Sequence, residues 1–281
     1  GAAGFENVGA GGGIHVATGT VTIINSTWSG NSADAGGGIY VASGAVSITN
    51  NTITDNTAFD STTGELVPGG DISNLGGTTT LRNTIIANFF GFSCRGTIGD
   101  GGSNIDAGIT CGLSGSGSLS NTNPLLAEMA DNGGPTEVRA LLTGSPAIDQ
   151  ANPAFCPATD QRGISRPQDG DSNGTAVCDI GAFEARRFTL TVTGAGTGSG
   201  TVTNSDIITC TIAAGTTSGD CSESLTDTWY TIMARATGGS TFDGWSGDCS
   251  GSDASTDVLL DTNRTCVATF NIRVFLPLIR R

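Results

Sequence analysis

Lysine is absent from the 281 residues, and histidine occurs once, at His15. Without lysine there is no amine for a Schiff base. One histidine with no cysteine nucleophile pattern offers no catalytic triad. Cations are scarce altogether: 12 arginines stand against 26 acids, a formal charge of −14. That balance argues against nucleic acid and against anionic membrane surfaces. No cysteine pair has the C-x-x-C spacing of a zinc site. No run of ~20 apolar residues is present, so no transmembrane segment is expected. No helix-length apolar stripe occurs either. A start methionine and a signal-peptide pattern are both missing, and the expectation is a mature or processed chain whose export signal has been removed.

What is plentiful is glycine, 44 residues, and its densest grouping repeats. Ala10-Gly-Gly-Gly-Ile-His-Val-Ala-Thr-Gly19 returns as Ala35-Gly-Gly-Gly-Ile-Tyr-Val-Ala-Ser-Gly44, a shift of 25. Val21 then meets Val46, Ile23 meets Ile48, Asn25 meets Asn50 and Asn31 meets Asn56. A looser third copy aligns Asn51-Thr-Ile with Asn83-Thr-Ile at a shift of 32, with Asp60 to Pro68 inserted. A fixed period of this size marks a solenoid. The copies hold short alternating runs, Thr20-Val-Thr-Ile-Ile24 and Ala45-Val-Ser-Ile-Thr49, which read as strands with one buried face. Gly and Asn stand between them, where corners need positive φ. The economical solution is a parallel β-helix, with equivalent residues stacked about 4.8 Å apart. Asn25/Asn50 and Asn31/Asn56 would form corner ladders, and His15, whose counterpart is Tyr40, would lie on a coil surface. A β-sandwich with coincidental similarity is the alternative.

β-helices often carry polysaccharide lyases and hydrolases, but fold does not give function. A lyase needs clustered acids and a base along one coil face. Residues 10–90 hold Asp34, Asp55, Asp60, Glu65 and Asp71, with Arg82 the single base, and these do not align at the repeat period. Nothing singles out the facing carboxylates of a glycosidase. The expectation is a non-enzyme, with no catalytic residue and no required cofactor.

The eight cysteines fall into local pairs: Cys94/Cys111, Cys156/Cys178, Cys210/Cys221 and Cys249/Cys266. Disulfides in an oxidising compartment follow, each worth ~3 kcal/mol by chain entropy. Phe89-Phe-Gly-Phe92 reads as a core plug near the last coils, with sugar stacking as the functional alternative. Asp169-Gly-Asp-Ser-Asn-Gly174 places Asp169, Asp171 and Asn173 alternately before a glycine, as in the first half of a calcium loop. Residue 180, where a bidentate Glu would belong, is Ile. A weak calcium site and an acidic surface turn fit equally.

From Asn123 the style changes. Asn123-Pro-Leu-Leu126, Ala130-Asp-Asn-Gly-Gly-Pro-Thr136, Leu142-Thr-Gly-Ser-Pro-Ala-Ile-Asp149, Asp160-Gln-Arg-Gly163, Arg166-Pro167 and Cys178-Asp-Ile-Gly-Ala-Phe-Glu184 follow in order. This series resembles the closing segment of bacterial surface β-helix proteins of the choice-of-anchor Q group, with Thr143 where that pattern has proline. The resemblance implies a right-handed parallel β-helix, exported and surface-associated, and no defined reaction. Read from the residues alone, the segment is a cap in which Asp149, Asp160, Arg162 and Arg166 form a charged network over the last coil. Beyond Arg187, alternating runs separated by Gly-rich turns give five or six antiparallel strands. Phe242-Asp-Gly-Trp-Ser-Gly-Asp-Cys249 with Cys266-Val-Ala-Thr-Phe270 is similar to the β-grasp-like internalin B-type repeat, which implies a spacer or adhesive module. Trp245 reads as core. Trp229 reads equally as core or as a sugar platform.

Four segments result: coils over 1–123, a closing segment over 124–186, a small antiparallel β domain over 187–272 and an apolar tail over 273–281. Val274, Phe275, Leu276, Leu278 and Ile279 of the tail have three readings: a last strand of the small domain, a strand donated to a neighbour, or a sorting address. Pro277 permits an edge strand and discourages a central one. The expected function is a secreted or cell-surface structural or adhesive protein, bacterial in its resemblances. Its partners would be copies of itself met head to tail, or a cell-surface glycan. The alternative is a carbohydrate-binding or polysaccharide-degrading β-helix.

Overall fold

A computed structural model describes residues 9–88, 92–205 and 207–272. Two compact units divide the chain, 1–186 and 187–281.

Unit 1 is built on a parallel β-helix. Its first coil holds β1 (Ile14–Val16), β2 (Thr20–Ile24), β3 (Thr27–Ser29) and β4 (Ser32–Ala33). The second holds β5 (Ile39–Val41), β6 (Ala45–Thr49), β7 (Thr52–Thr54) and β8 (Thr57–Ala58). The third holds β9 (Ile72–Asn74), β10 (Thr78–Arg82) and β11 (Ile85–Ala87). The fourth holds β12 (Cys94–Arg95), β13 (Ile98–Asp100) and β14 (Ile105–Asp106), and β15 (Leu119–Ser120) follows. They stack into three parallel sheets, β1-β5-β9-β12, β2-β6-β10-β13 and β3-β7-β11-β14-β15, with β4 beside β8.

Coils one and two pair at the 25-residue shift, Ile14 with Ile39 and Thr27 with Thr52. The third coil pairs at 33 rather than 32, since Thr52 lies beside Ile85 and Ile39 beside Ile72. The corner explains the extra residue. Asn25, Asn50 and Asn83 hold φ of 49°, 51° and 48°, the left-handed region that asparagine tolerates. Asn83 Nδ2 donates to Asn50 Oδ1 at 3.2 Å. Asn25 and Asn50 share the corner conformation without a side-chain bond between them, whereas in the other predicted ladder Asn31 Nδ2 donates to Asn56 Oδ1 at 2.9 Å.

The repeated Gly triplet marks where backbones touch. A Cβ on Gly37 would lie 2.1 Å from the Thr57 carbonyl oxygen. Nothing but glycine fits there without moving the chain. Gly37→Ala is expected to lower stability by roughly 3 kcal/mol, the scale of an overpacked core site. Chemical denaturation of the full chain checks this, with exposed Gly19→Ala, whose Cβ meets nothing within 4 Å, showing the smaller cost of positive φ alone.

The interior is a set of aliphatic columns. One runs Ile14, Ile39, Ile72, Cys94; another Ile23, Ile48, Leu81, Asp100; a third Trp28, Ile53, Ile86, Asp106. Two columns turn to carboxylates at the fourth coil, and Ser120 of β15 follows Asp106. Asp106 accepts from the N–H groups of Gly108 and Cys111 at 2.8 and 3.1 Å. Asp100 accepts from Gly102 N, Asn104 Nδ2, Ser114 N, Gly115 N and Ser118 Oγ. The turn they hold, with Cys94–Cys111, closes this end. Phe92 is 40 % exposed and so does not plug the core; the rest of its run, 89–91, lies outside the described residues.

The closing segment does not sit over the last coil as expected. It runs along the side of the stack. Asn152 exchanges bonds with Asn83 of the third coil, 2.8 and 3.1 Å. Asn50 Nδ2 of the second donates to the Asp179 carbonyl at 3.1 Å. Asn25 Nδ2 of the first donates to the Thr159 carbonyl at 2.6 Å. Arg139 forms an ion pair with Asp55. The corner asparagines thus turn their amides outward to stitch this strap on. The reason is apolar area: Ile85, Ala87 and Ile105 point out of the helix and pack against Val138, Leu141, Ile148 and Phe183. Within the strap, β16 (Leu126–Ala130) pairs antiparallel with β17 (Val138–Leu141).

Unit 2 contains β18 (Arg187–Ala195), β19 (Ser199–Asn204), β20 (Ile208–Ala213), β21 (Thr216–Asp220), β22 (Ser222–Thr226), β23 (Trp229–Thr237), β24 (Ser240–Gly247), β25 (Ser255–Leu259) and β26 (Arg264–Ile272). They form two sheets, β22-β18-β26-β24 and β21-β20-β19-β23-β25, around a core that includes Val202, Ile232, Trp245 and Phe270. One pair departs from the expected antiparallel pattern: β18 and β26 run parallel. Cys221 is the single residue between β21 and β22, the point where the chain passes from one sheet to the other. Its carbonyl accepts from Val192 N at 2.7 Å, and its bridge to Cys210 of β20 ties the two sheets together there.

Candidate functional site

The charged residues singled out in the closing segment converge, and burial decides what they do. Arg162 Nε donates to Asp160 Oδ2 at 2.9 Å. Its guanidinium lies over the Phe183 ring, 3.5 Å from the centroid. Arg166 donates to Glu184 Oε2 and to the carbonyls of Asp179 and Gly181, each at 2.8 Å. Glu184 also accepts from the N–H groups of Gln168 and Asp179. The side chains of all four residues in the two ion pairs are at most 1 % exposed. Burial pushes Glu184 up to about 6, against the pull of Arg166. It pushes Asp179 well above the usual carboxylate range, helped by Glu184, and it lowers Arg166. Such groups could pass for an acid–base set, but no reacting atom can reach them. Their bonds go to each other and to the backbone, which is what a strap without helix or long strand needs for cohesion. The network expected from sequence omits Glu184 and Asp179. Their signal lies in the closing Cys178-Asp-Ile-Gly-Ala-Phe-Glu184 motif, which places both beside Arg166.

Asp149 joins that knot through its backbone, its N–H donating to Asp179 Oδ1 at 2.7 Å, while its side chain faces elsewhere. Its carboxylate accepts from Asp171 N and Val177 N, which brings it to the acidic turn. One oxygen each from Asp149, Asp169 and Asp171 lie within 4.8 Å of one another. Asn173 Oδ1 accepts from Thr175 N, and Asn173 Nδ2 donates to Asp171. Asp169 accepts from Asn173 N and Gly174 N. Three carboxylates would give half or fewer of the oxygens calcium takes. Asp149, 20 residues upstream of Asp169, is invisible to a local motif.

Another buried acid lies inside the β-helix. Asp71 is fully buried and accepts from Asn56 N and Nδ2 at 3.3 and 2.9 Å. Its Oδ2 and the hydroxyl of Ser93, next in the column, find no partner in hydrogen-bond geometry. Burial raises its pKa to about 7, with Asp55 adding to the effect and the Asn56 bonds opposing it.

The eight cysteines form the four expected disulfides, Cys94–Cys111, Cys156–Cys178, Cys210–Cys221 and Cys249–Cys266. The four are not equivalent in burial. Both partners are buried in Cys94–Cys111 and Cys249–Cys266, whereas Cys156 and Cys221 are only half-buried beside buried Cys178 and Cys210. Cys221 lies at the rim of the unit 2 core, packed against it from outside, because it stands at the turn between two strands. The four bridges fit an oxidising, extracytoplasmic environment. No helix among the described residues is long and apolar enough to cross a membrane. Trp245 is buried, its Nε1 donating to the Asp253 carbonyl at 3.0 Å, whereas Trp229 is 45 % exposed. His15 is exposed and meets Tyr40 edge-on, ring centroids 5.0 Å apart. Val274, Phe275, Leu276, Leu278 and Ile279 lie outside the described residues. No family model, curated protein or solved structure matches the chain.

Proposed function

We propose that this chain is a secreted or cell-surface structural subunit that joins copies of itself head to tail, without catalysis. One observation carries the reading: among the described residues, the two ends of the coil stack differ. At the fourth coil two columns give way to Asp100 and Asp106, Ser120 follows Asp106, and a disulfide-pinned turn surrounds them. At the first coil β1, β2 and β3 each pair on one side only, as β12 and β13 do at the other end, so what differs is the carboxylates and pinned turn of the fourth coil. Backbone N–H and C=O groups on the other side of β1, β2 and β3 are unpaired by these sheets, and Ile14, Val21 and Trp28 are less buried than Ile39, Val46 and Ile53 one coil on. An edge of this kind accepts a further strand. The apolar stretch Val274-Phe-Leu-Pro-Leu-Ile279 has the composition of such a strand. A heterologous contact that does not close on itself produces a filament. The resemblances to choice-of-anchor Q closing segments and to internalin B-type repeats support placement on a cell surface, as do four disulfides.

Sedimentation velocity tests this. The full chain is expected to form larger species as concentration rises, and a chain lacking residues 273–281 is expected to remain monomeric. A full chain that stays monomeric at every concentration rejects the reading.

A further inference from the structure

We propose that a cleft beside the third and fourth coils binds a neutral saccharide of one or two rings. It is an open cleft of about 370 Å³, the lower range of ligand pockets, lined by residues that include Asp100, Gly101, Gly102, Gly115, Gly117 and Asn152. Glycine makes the floor for a packing reason. A Cβ on Gly101 would lie 2.6 Å from Arg82 Cγ, and one on Gly115 would lie 2.8 Å from the Asp100 carboxylate. The floor is therefore bare backbone, which a flat ring can approach closely.

Beside this floor stand three groups suited to a sugar. Phe155 belongs to the 3-10 turn Pro153–Phe155 that Asn152 caps, and the residue is 40 % exposed. Arg82, packed on Gly101, lies over that ring, 4.9 Å from the centroid. Arg82 pairs with no carboxylate among the described residues; its Nη1 donates only to Ser47 Oγ, at 3.3 Å. Asn152 uses its Oδ1 to accept from Ala154 N, and its own N–H and C=O are bound to Asn83. Its NH2 group remains as a donor for a ligand hydroxyl. A partly exposed apolar ring with the Arg82 guanidinium over one face, and the Asn152 amide in the same cleft, offers the apolar contact and hydroxyl partners that a pyranose takes.

Charge selects a neutral sugar. Asp100 and Arg82 cancel at the site, and the chain as a whole, at −14, repels an anionic polymer. Asp100 is also fully engaged. Burial alone would raise it, but bonds from Gly115, Gly102, Asn104 and Ser118 outweigh that and hold it below the usual range. Five donors fill the acceptor sites of a carboxylate, so it serves neither as base nor as nucleophile. The cleft holds a sugar and does not cut it.

The experiment is a titration of the full chain with maltose, cellobiose, lactose, chitobiose and, as the acidic probe, digalacturonate, followed by NMR or calorimetry. At least one neutral disaccharide is expected to bind, and Phe155→Ala is expected to weaken it tenfold or more. Asn152→Asp keeps the capping oxygen and removes the donor; a similar loss is expected. Trp229→Ala, in unit 2, is expected to leave binding unchanged. Overturning results are no binding to any neutral sugar, tighter binding of digalacturonate, or affinity that survives both unit 1 variants and falls with Trp229→Ala. Self-association is read separately by sedimentation, so failure here leaves that reading intact.

Discussion

Asp71→Asn is expected to raise the thermal stability of unit 1 markedly at pH 8 and to change it little at pH 4. The carboxyl is fully buried, and its pKa stands at about 7 in the folded chain against an ordinary value near 4. A carboxyl raised on folding binds its proton more tightly in the native state. Native stability is therefore greatest below about pH 4 for this group and falls as pH rises through about 7. Ionising it inside the coil therefore costs roughly 4 kcal/mol more than ionising an ordinary carboxyl. Asparagine keeps an acceptor for the Asn56 N–H groups and can offer a donor to the Ser93 hydroxyl beside it. It removes the charge, so the penalty above neutrality disappears. For a unit of this size the gain corresponds to on the order of 10 °C. Glu184, raised to about 6 by burial, slopes the same way over pH 4 to 6. Asp60 and Asp100 slope oppositely, because hydrogen bonds from neighbouring N–H groups lower them, Asp100 despite its burial. Their stabilisation is lost as pH falls below the ordinary carboxylate range. Wild type is thus expected to be most stable in mild acid. A melting profile of the full chain from pH 3 to 9, wild type against Asp71→Asn, checks the whole pattern. Parallel profiles for the two proteins would refute the assignment to Asp71.

The second large effect belongs to the buried knot. Arg166→Met is expected to cost unit 1 about 3–5 kcal/mol, the usual result of leaving a buried charge without its partner. Glu184 would lose its cation, and the carbonyls of Asp179 and Gly181 would lose their donors. Arg166→Met with Glu184→Gln removes both charges and is expected to recover a good part of the loss. Urea unfolding with a probe in each unit makes the test specific: the unit 1 transition moves and the unit 2 transition does not. If the double variant is no better than the single, the ion pair is not what holds Arg166 in place.

The first two coils are open to reading because backbone stacking repeats a chemical requirement every 25 residues. Gly37 returns where Gly12 stood because each lies against backbone, and the interior columns repeat because each coil fills the same space. The third register is harder. Asn50 and Asn51 both offer a match for Asn83, and the Asn-Thr-Ile identity favours the wrong one. What the corner keeps is a left-handed backbone, so Asn25, Asn50 and Asn83 align, and Ser103 at φ 50° continues the line. The lateral course of the closing segment has a faint signal: Ile85-Ile86-Ala87 is apolar on both faces, so its outer face needs cover. Asp149 reaches the acidic turn, and β18 lies parallel to β26, through long-range pairing that no local spacing reveals. Proximity along the chain suffices to pair Cys210 with Cys221, but it does not show that Cys221 sits at the rim of its core. The buried acids are visible as residues but not as perturbed groups, since burial is a property of the fold.

The most direct measurement is electron microscopy of the full chain at high concentration. Regular fibres of one subunit repeated head to tail, absent when residues 273–281 are removed, are the predicted result. Isolated particles at every concentration tried, or fibres that persist without that segment, would contradict the account.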